Sequence, residues 1–465
     1  MNNVTVSIIG AGTGGYVAAI RAAQLGAEVN LIEKENIGGT CLNWGCIPTK
    51  ALVYSSERYS EMQNGRRYGV ECSDINLNMQ KVIKNKDKIV KQLVGGVKFL
   101  LDKNNVNLYK GTANLLDKNN IAVKTANKTV KINTDYIILA TGSKIKKAPI
   151  KGIDMEEILT SKDILDLDEL PRSLAIIGGG IIGMEFAFIY SNFGVDVKVV
   201  EYLNEILPGI DNEVSSAINK IAERDNIDIT TNARVKEVTK NNKQYLIKFI
   251  KNNKEKESNV EKVLVATGRK PSFGGLNLEK LKIKTVNNAI KVDNHMKTTV
   301  DNIYAVGDVT GKMLLAHVAS HQGIVAAENI MGVDKKMSYR NVPSAIFTKP
   351  EIATVGLNEE EVRKQYSNYR VGKFPFSANG KVKTMNKKSG FIKIISKESN
   401  GEILGASIIG VHATDMIHEL TLAMDKNIRI EDIIETIHAH PTTSEVIPEA
   451  AMDSLGRALH YVRIS

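Results

Sequence analysis

Cysteine is scarce in this chain, three among 465 residues, which excludes a disulfide-stapled secreted scaffold. A structural zinc site is excluded too, because Cys41 and Cys46 have no second Cys pair or neighbouring His to complete four ligands. No apolar run approaches the roughly 20 residues that cross a bilayer. The N-terminus has no charged region leading into an apolar stretch and cleavage site, so no targeting peptide is expected and the cytoplasm is the expected compartment. Charge is one-sided, with 62 Lys and Arg against 52 Asp and Glu for a net +10. No basic run interleaved with aromatics accompanies it, so nucleic acid is not expected as a partner. The excess reads as a Lys-rich surface, or as attraction for acidic macromolecules.

What is present is a repeated pattern. Val4–Ile9 reads as a buried strand, followed by Gly10, Gly12 and Gly15 in the spacing G-x-G-x-x-G and then a helical stretch. A second strand from Glu28 ends at Glu33. Strand, glycine turn and helix together make a dinucleotide site. The glycines let the backbone approach a pyrophosphate at a helix N-terminus, and the acidic residue accepts hydrogen bonds from a ribose diol. The same arrangement recurs with Gly178, Gly180, Gly183 and Glu201, at the same interval from first glycine to glutamate. Each copy later reaches an apolar strand ending in Ala-Thr-Gly, at Gly142 and at Gly268. Two dinucleotides are therefore expected in one chain.

The first copy is the longer one, and part of its excess is Gly38-Gly39-Thr40-Cys41-Leu42-Asn43-Trp44-Gly45-Cys46-Ile47-Pro48-Thr49-Lys50. A close cysteine pair in a reducing compartment reads as an exchanging redox disulfide rather than a staple. The remaining thiol, Cys72, reads as an inert structural residue. A flavin is the usual intermediary between hydride transfer and thiol exchange, so FAD is assigned to the first copy. Glu201 would repel a 2′-phosphate, and Tyr202-Leu203-Asn204-Glu205 offers no basic residue to receive one, so NAD rather than NADP is assigned to the second. Near the C-terminus, His440 and Glu445 could form a dyad in which the carboxylate fixes the imidazole tautomer for general-base work. The alternative is a helix-flanking histidine and a first-turn carboxylate favoured by the helix dipole.

The expected class is α/β, with two Rossmann-like dinucleotide-binding domains at 1–147 and 148–271. A central segment at 272–337 completes the first site, with a strand ending in Gly307-Asp308 and a helix starting near His317. An α+β unit follows at 338–465, with alternating strands at Phe391–Ile395 and Ile403–Ile409 and helices near Ala413–Met424 and Ser444–Leu459.

The chain resembles the flavin-dependent pyridine nucleotide–disulfide oxidoreductases over nearly its whole length. The marks are GGTCLNWGCIPTK, both glycine motifs with their ATG strands, YAVGDV, LLAHVASHQG, VPSAIFTKPEIATVG and HAHPTTSEVIPEA. Within that family it is most similar to members that oxidise protein-bound dihydrolipoamide with NAD+. The resemblance implies that Cys41 exchanges with substrate, Cys46 stands next to the flavin, and Lys50 pairs with Glu185 near the flavin ring. It implies FAD contacts from Gly10, Gly12, Gly15, Glu33, Thr40, Lys50, Gly111, Thr141, Gly142, Ser143, Asp308, Leu315, Ala316 and His317. It implies NAD contacts from Gly178, Gly180, Gly183, Glu185, Glu201, Val235 and Gly268. It also implies a homodimer whose His440–Glu445 dyad serves the other subunit. The implied partners are the lipoylated acyltransferase of 2-oxoacid dehydrogenase complexes or the glycine cleavage H-protein. Trp44 stands where relatives have smaller or more flexible residues and could alter access to the disulfide. Gln322 stands where relatives often have Glu.

Overall fold

The computed structural model describes residues 4–462; the outermost positions of the expected terminal domains lie outside that range. The chain opens with β1 (Thr5–Ile9), α1 (Thr13–Gln24) and β2 (Glu28–Glu33). β1 and β2 pair in parallel, Val6 against Val29 and Ile8 against Leu31. Val6, Ile8 and Leu31 have no solvent exposure, and each such side chain contributes roughly 1.5–3 kcal/mol by leaving water. Gly15 marks why the turn tolerates no side chain: a Cβ there would sit 1.7 Å from the Gly10 carbonyl oxygen. Gly183 repeats the relationship against Gly178 at 2.0 Å.

The first parallel sheet has the strand order 303–305, 136–139, β1, β2, 107–110. Its outer strand Ile303–Ala305 thus arrives from beyond the second module. The second sheet is ordered 227–230, 196–200, 173–177, 262–265, 159–160. Both place the glycine turn at the C-terminal end of a central strand, where open α/β sheets bind ligands. Each module also carries a three-stranded antiparallel sheet, at 112–133 and 233–260, which the sequence reading did not distinguish.

After Ser338 a five-stranded antiparallel sheet forms in the order 344–346, 352–356, 403–409, 391–397, 369–375. The expected alternation is absent: all seven residues of Ile403–Ile409 are buried, and so are Ile392–Ser396. These strands are central, and Ala413–Asp425 and Asn212–Arg224 both pack on the first of them. The last helix is shorter than expected, Val446–Ser454. Gly456, at φ +69°, follows the Leu455 cap in the left-handed conformation that ends helices.

Candidate active site

The redox segment is built as two helices broken between the thiols. α2 (Gly39–Trp44) carries Cys41, and α3 (Cys46–Gln63) begins at the second cysteine. α2 is seated on the first glycine turn. The Gly38 N–H donates to the Ala11 carbonyl at 2.7 Å, and a Cβ on Gly39 would lie 2.6 Å from Gly12 Cα. Cys41 and Cys46 are free thiols, half-buried and hydrogen-bonded to one another. The bond from Cys41 lowers the Cys46 thiol, burial opposes it and the Lys50 ammonium assists, leaving it at about 7. Cys41 is pushed well up, by that same bond first and by burial second. A thiol at a helix N-terminus beside a cation is the environment that produces a reactive thiolate.

Lys50 lies one turn beyond Cys46 on α3. Its Nζ is 2.8 Å from both carboxylate oxygens of Glu185, on helix Ile181–Asn192 of the second module. Glu185 is buried, and its Oε1 also accepts from the Phe347 N–H at 3.0 Å. The Lys50 ammonium sits 4.4 Å from the Phe347 ring centroid. One ion pair thus ties together the redox helix, the second module and the C-terminal unit.

A cleft of about 560 Å³ runs over the ends of the first sheet. Of the residues assigned to FAD, Gly10, Gly12, Glu33, Thr40, Gly111, Thr141, Gly142 and Ser143 line it. Glu33 accepts from the Ala11 N–H and the Glu35 N–H, both at 2.7 Å. Asp308 joins through the Ser143 hydroxyl, 2.5 Å away. The Thr141 hydroxyl is buried with no protein partner. This glycine cradle, acidic edge and orphaned hydroxyl fit a dinucleotide. Lys50, Gly15 and Leu315-Ala316-His317 are not in the cleft wall. Leu315 caps helix Ala316–Ile330, where His317 Nε2 lies 2.9 Å from the Pro343 carbonyl and burial lowers its pKa. Gln322, fully buried, accepts from the Gly307 N–H at 2.6 Å and donates to Tyr339 Oη at 2.8 Å. A neutral amide suits that site because it must both accept and donate.

Arg269 is a cleft residue that the sequence reading missed. Its guanidinium donates to the Ser143 hydroxyl and carbonyl, each at 2.8 Å, and reaches Thr40 Oγ1 at 3.4 Å. The two Ala-Thr-Gly strands end by pairing with one another, Ser143 against Pro271 and Ile145 against Arg269. The signal was the residue following each repeated motif.

In the second module Gly178, Gly180 and Gly183 repeat the turn, and Gly268 follows the second Ala-Thr strand at φ +100°. Glu201 is buried, and its carboxylate already accepts from Gly179 N–H at 2.5 Å and Leu203 N–H at 2.7 Å. It therefore organises its own loop. The Val235 side chain is packed in the hydrophobic cluster with Val200 and Ile153.

His440 Nδ1 lies 2.8 Å from Glu445 Oε1, and Glu445 Oε2 accepts from the Thr442 N–H at 2.8 Å. Burial resists ionisation of Glu445, but the Thr442 N–H and His440 hold its carboxyl below the ordinary range. The imidazole is 77% exposed, and no hydrogen bond joins it to either thiol within the described residues of this chain. Cys72 is exposed, not buried as a structural thiol would be. No group of residues suited to a metal is found among the described residues, and no described helix is long and apolar enough to cross a membrane.

Known proteins resemble this chain in sequence and in fold. A dihydrolipoyl dehydrogenase of Bacillus subtilis is 40% identical over 98% of this chain and 99% of its own. The solved structure of LpdA from Mycobacterium tuberculosis superposes with TM-score 0.91 at 27% identity, covering 96% of this chain and 99% of that one. A Cu(II) complex of the HOCl-induced flavoprotein disulfide reductase RclA from Escherichia coli gives 0.87 at 29%, covering 97% and 99%. Residues 342–451 match the dimerisation domain of the pyridine nucleotide-disulphide oxidoreductases. Residues 4–323, which hold both glycine turns and the paired thiols, match the pyridine nucleotide-disulphide oxidoreductase family. The chain belongs to the pyridine nucleotide-disulphide oxidoreductases.

Proposed function

We propose that this chain works as a dihydrolipoyl dehydrogenase, oxidising protein-bound dihydrolipoamide and reducing NAD+ to NADH. The observation that carries the reading is the hydrogen-bonded thiol pair beside the cleft, with the Lys50–Glu185 ion pair one helical turn beyond Cys46. Gly10, Gly12, Glu33 and Thr141-Gly142-Ser143 would hold FAD in the first module's cleft, where it would supply two-electron chemistry between this pair and NAD.

Chemistry begins at the His440 imidazole, whose Nδ1 is held by Glu445 so that Nε2 accepts a proton from a substrate thiol. The substrate thiolate attacks Cys41 Sγ of the oxidised pair. The Cys41–Cys46 bond breaks, and Cys46 departs as a thiolate favoured by Cys41 and Lys50. The second substrate thiol attacks the substrate sulfur of the mixed disulfide, closing the lipoamide disulfide and releasing Cys41. Two electrons and two protons have then left the substrate: Cys46 is a thiolate, the first proton rests on His440, and the proton of the second substrate thiol passes to Cys41 as it departs. His440 is exposed and not joined to its own thiols, which supports its acting on the partner subunit in a homodimer. The lipoyl group would come from an acyltransferase of a 2-oxoacid dehydrogenase complex or from the glycine cleavage H-protein.

NAD+ reduction with dihydrolipoamide, measured beside NADH-driven reduction of glutathione disulfide and peroxide, tests the reading. Dominant dihydrolipoamide turnover is expected. The likeness to RclA favours a second reading, an NADH-dependent reductase of another disulfide or electrophile, and dominant turnover of those acceptors would establish it.

A further inference from the structure

Trp44 is the only tryptophan in the chain. It ends α2, between the two thiols, and lines the dinucleotide cleft. Part of the ring packs on the hydrophobic cluster that contains Leu52 and Ile164. The Lys162 ammonium stands 4.8 Å from the ring centroid. Lys162 does not belong to the first module. It follows Leu159–Thr160, the outer strand of the second module's sheet, which pairs with Leu264 and Val265. Its turn is fixed by Asp163, whose Oδ2 accepts from the Thr160 N–H at 2.8 Å and from the Thr160 hydroxyl at 2.6 Å. Ser161 and Lys162 line the same cleft as Trp44. Beside the Lys50–Glu185 ion pair and the Arg269–Thr40 contact, the redox segment therefore meets the second module through one indole and one ammonium at the cleft wall.

We propose that Trp44 and Lys162 form a cofactor-retaining wall, in which a lysine from the second module pins the redox segment's indole against the FAD cleft. Two physical points support this. A tryptophan covers a large apolar area with only two rotatable bonds, so it excludes water at small entropic cost. A lysine over its face adds an electrostatic attraction that holds the ring in one orientation. A small residue at this position would leave that side of the cleft open. The hold on FAD thus depends on how the second module is seated, through a contact that no backbone hydrogen bond supplies. The inference rests on the reading of this cleft as the FAD site.

The test is FAD titration of deflavinated enzyme, followed by equilibrium dialysis, for wild type, Trp44→Val, Trp44→Phe, Lys162→Met and the Trp44→Val/Lys162→Met double variant. Trp44→Val is expected to weaken FAD binding on the order of tenfold, with Trp44→Phe recovering most of it. Lys162→Met is expected to weaken it about two- to fivefold, the worth of an exposed cation–π contact. In the Trp44→Val background the lysine change should add nothing. Because Trp44 is the sole tryptophan, its emission reports the pair directly. Lys162→Met frees the ring, so quenching by neutral acrylamide should rise, while loss of the local positive charge should lower quenching by iodide, an anion, relative to acrylamide. Wild-type FAD affinity in Trp44→Val, or an undiminished lysine effect without the indole, overturns the inference. Should circular dichroism show that Trp44→Val misfolds, the exposed Lys162 variant decides by its own FAD affinity and iodide quenching. Wild-type enzyme that takes up no FAD would overturn the reading of the cleft itself.

Discussion

Lys50 Nζ touches both oxygens of the Glu185 carboxylate at 2.8 Å, joining residues 135 positions apart one helical turn from Cys46. The pair sets opposing fields on that thiol, with Lys50 favouring its ionisation and Glu185 opposing it. In reduced enzyme a thiolate should titrate with a midpoint of about 7, read as ultraviolet absorbance against pH, and Cys46→Ser should remove it. Glu185→Gln should move the midpoint down and Lys50→Met should move it up. Equal midpoints in all three proteins would refute this electrostatic account.

His440→Gln should lower dihydrolipoamide oxidation by roughly 100-fold or more, the usual worth of a positioned base. Ferricyanide reduction by NADH needs no substrate deprotonation and should survive. In verified heterodimers of Cys41→Ser with His440→Gln, one complete site should reappear. No recovery of activity there would place the base in its own subunit.

Glu201 combines charge with structure, so two substitutions separate them. Glu201→Gln removes the charge and keeps one acceptor oxygen where the carboxylate offers one each to the Gly179 and Leu203 N–H groups, and should narrow the preference for NAD over NADP in kcat/KM. Glu201→Ala also abandons those donors and should destabilise the enzyme by about 1–3 kcal/mol. An unchanged nucleotide preference in the glutamine variant would remove the charge argument.

Lys393 is buried in the C-terminal sheet, 3.0 Å from Asp211 at the start of a second-module helix, and also pairs with Glu359. Removing one member of a buried charge cluster leaves the others uncompensated. Lys393→Met should therefore cost about 3 kcal/mol, seen as a lower urea midpoint. A midpoint within error of wild type would show that water screens the cluster.

The glycine turns, the thiol segment and the His440–Glu445 spacing were legible because each is a local pattern whose chemistry dictates residue type and interval. Arg269 and Lys393 were not legible, since their partners Ser143 and Asp211 are brought to them only by strand pairing and domain packing. The burial of Ile403–Ile409 escaped because period two describes a half-exposed strand, and this one lies mid-sheet. Helix Val446–Ser454 was read too long because apolar periodicity continues past Gly456 while the backbone turns away. The exposure of Cys72 has no local signature.

The strand Ile303–Ala305 closes the first sheet against Ile137–Leu139, although all strands of the second sheet lie between residues 159 and 265. A ribosome delivers the chain from the N-terminus, and domains generally fold as units. The second sheet is therefore fully synthesised while the first still presents the edge of Ile137–Leu139 without a neighbour. An unpaired apolar edge is a template for wrong pairing. Nascent chains that stall between residues 265 and 303 are the ones expected to need a chaperone, and release of the next few residues ends that exposure.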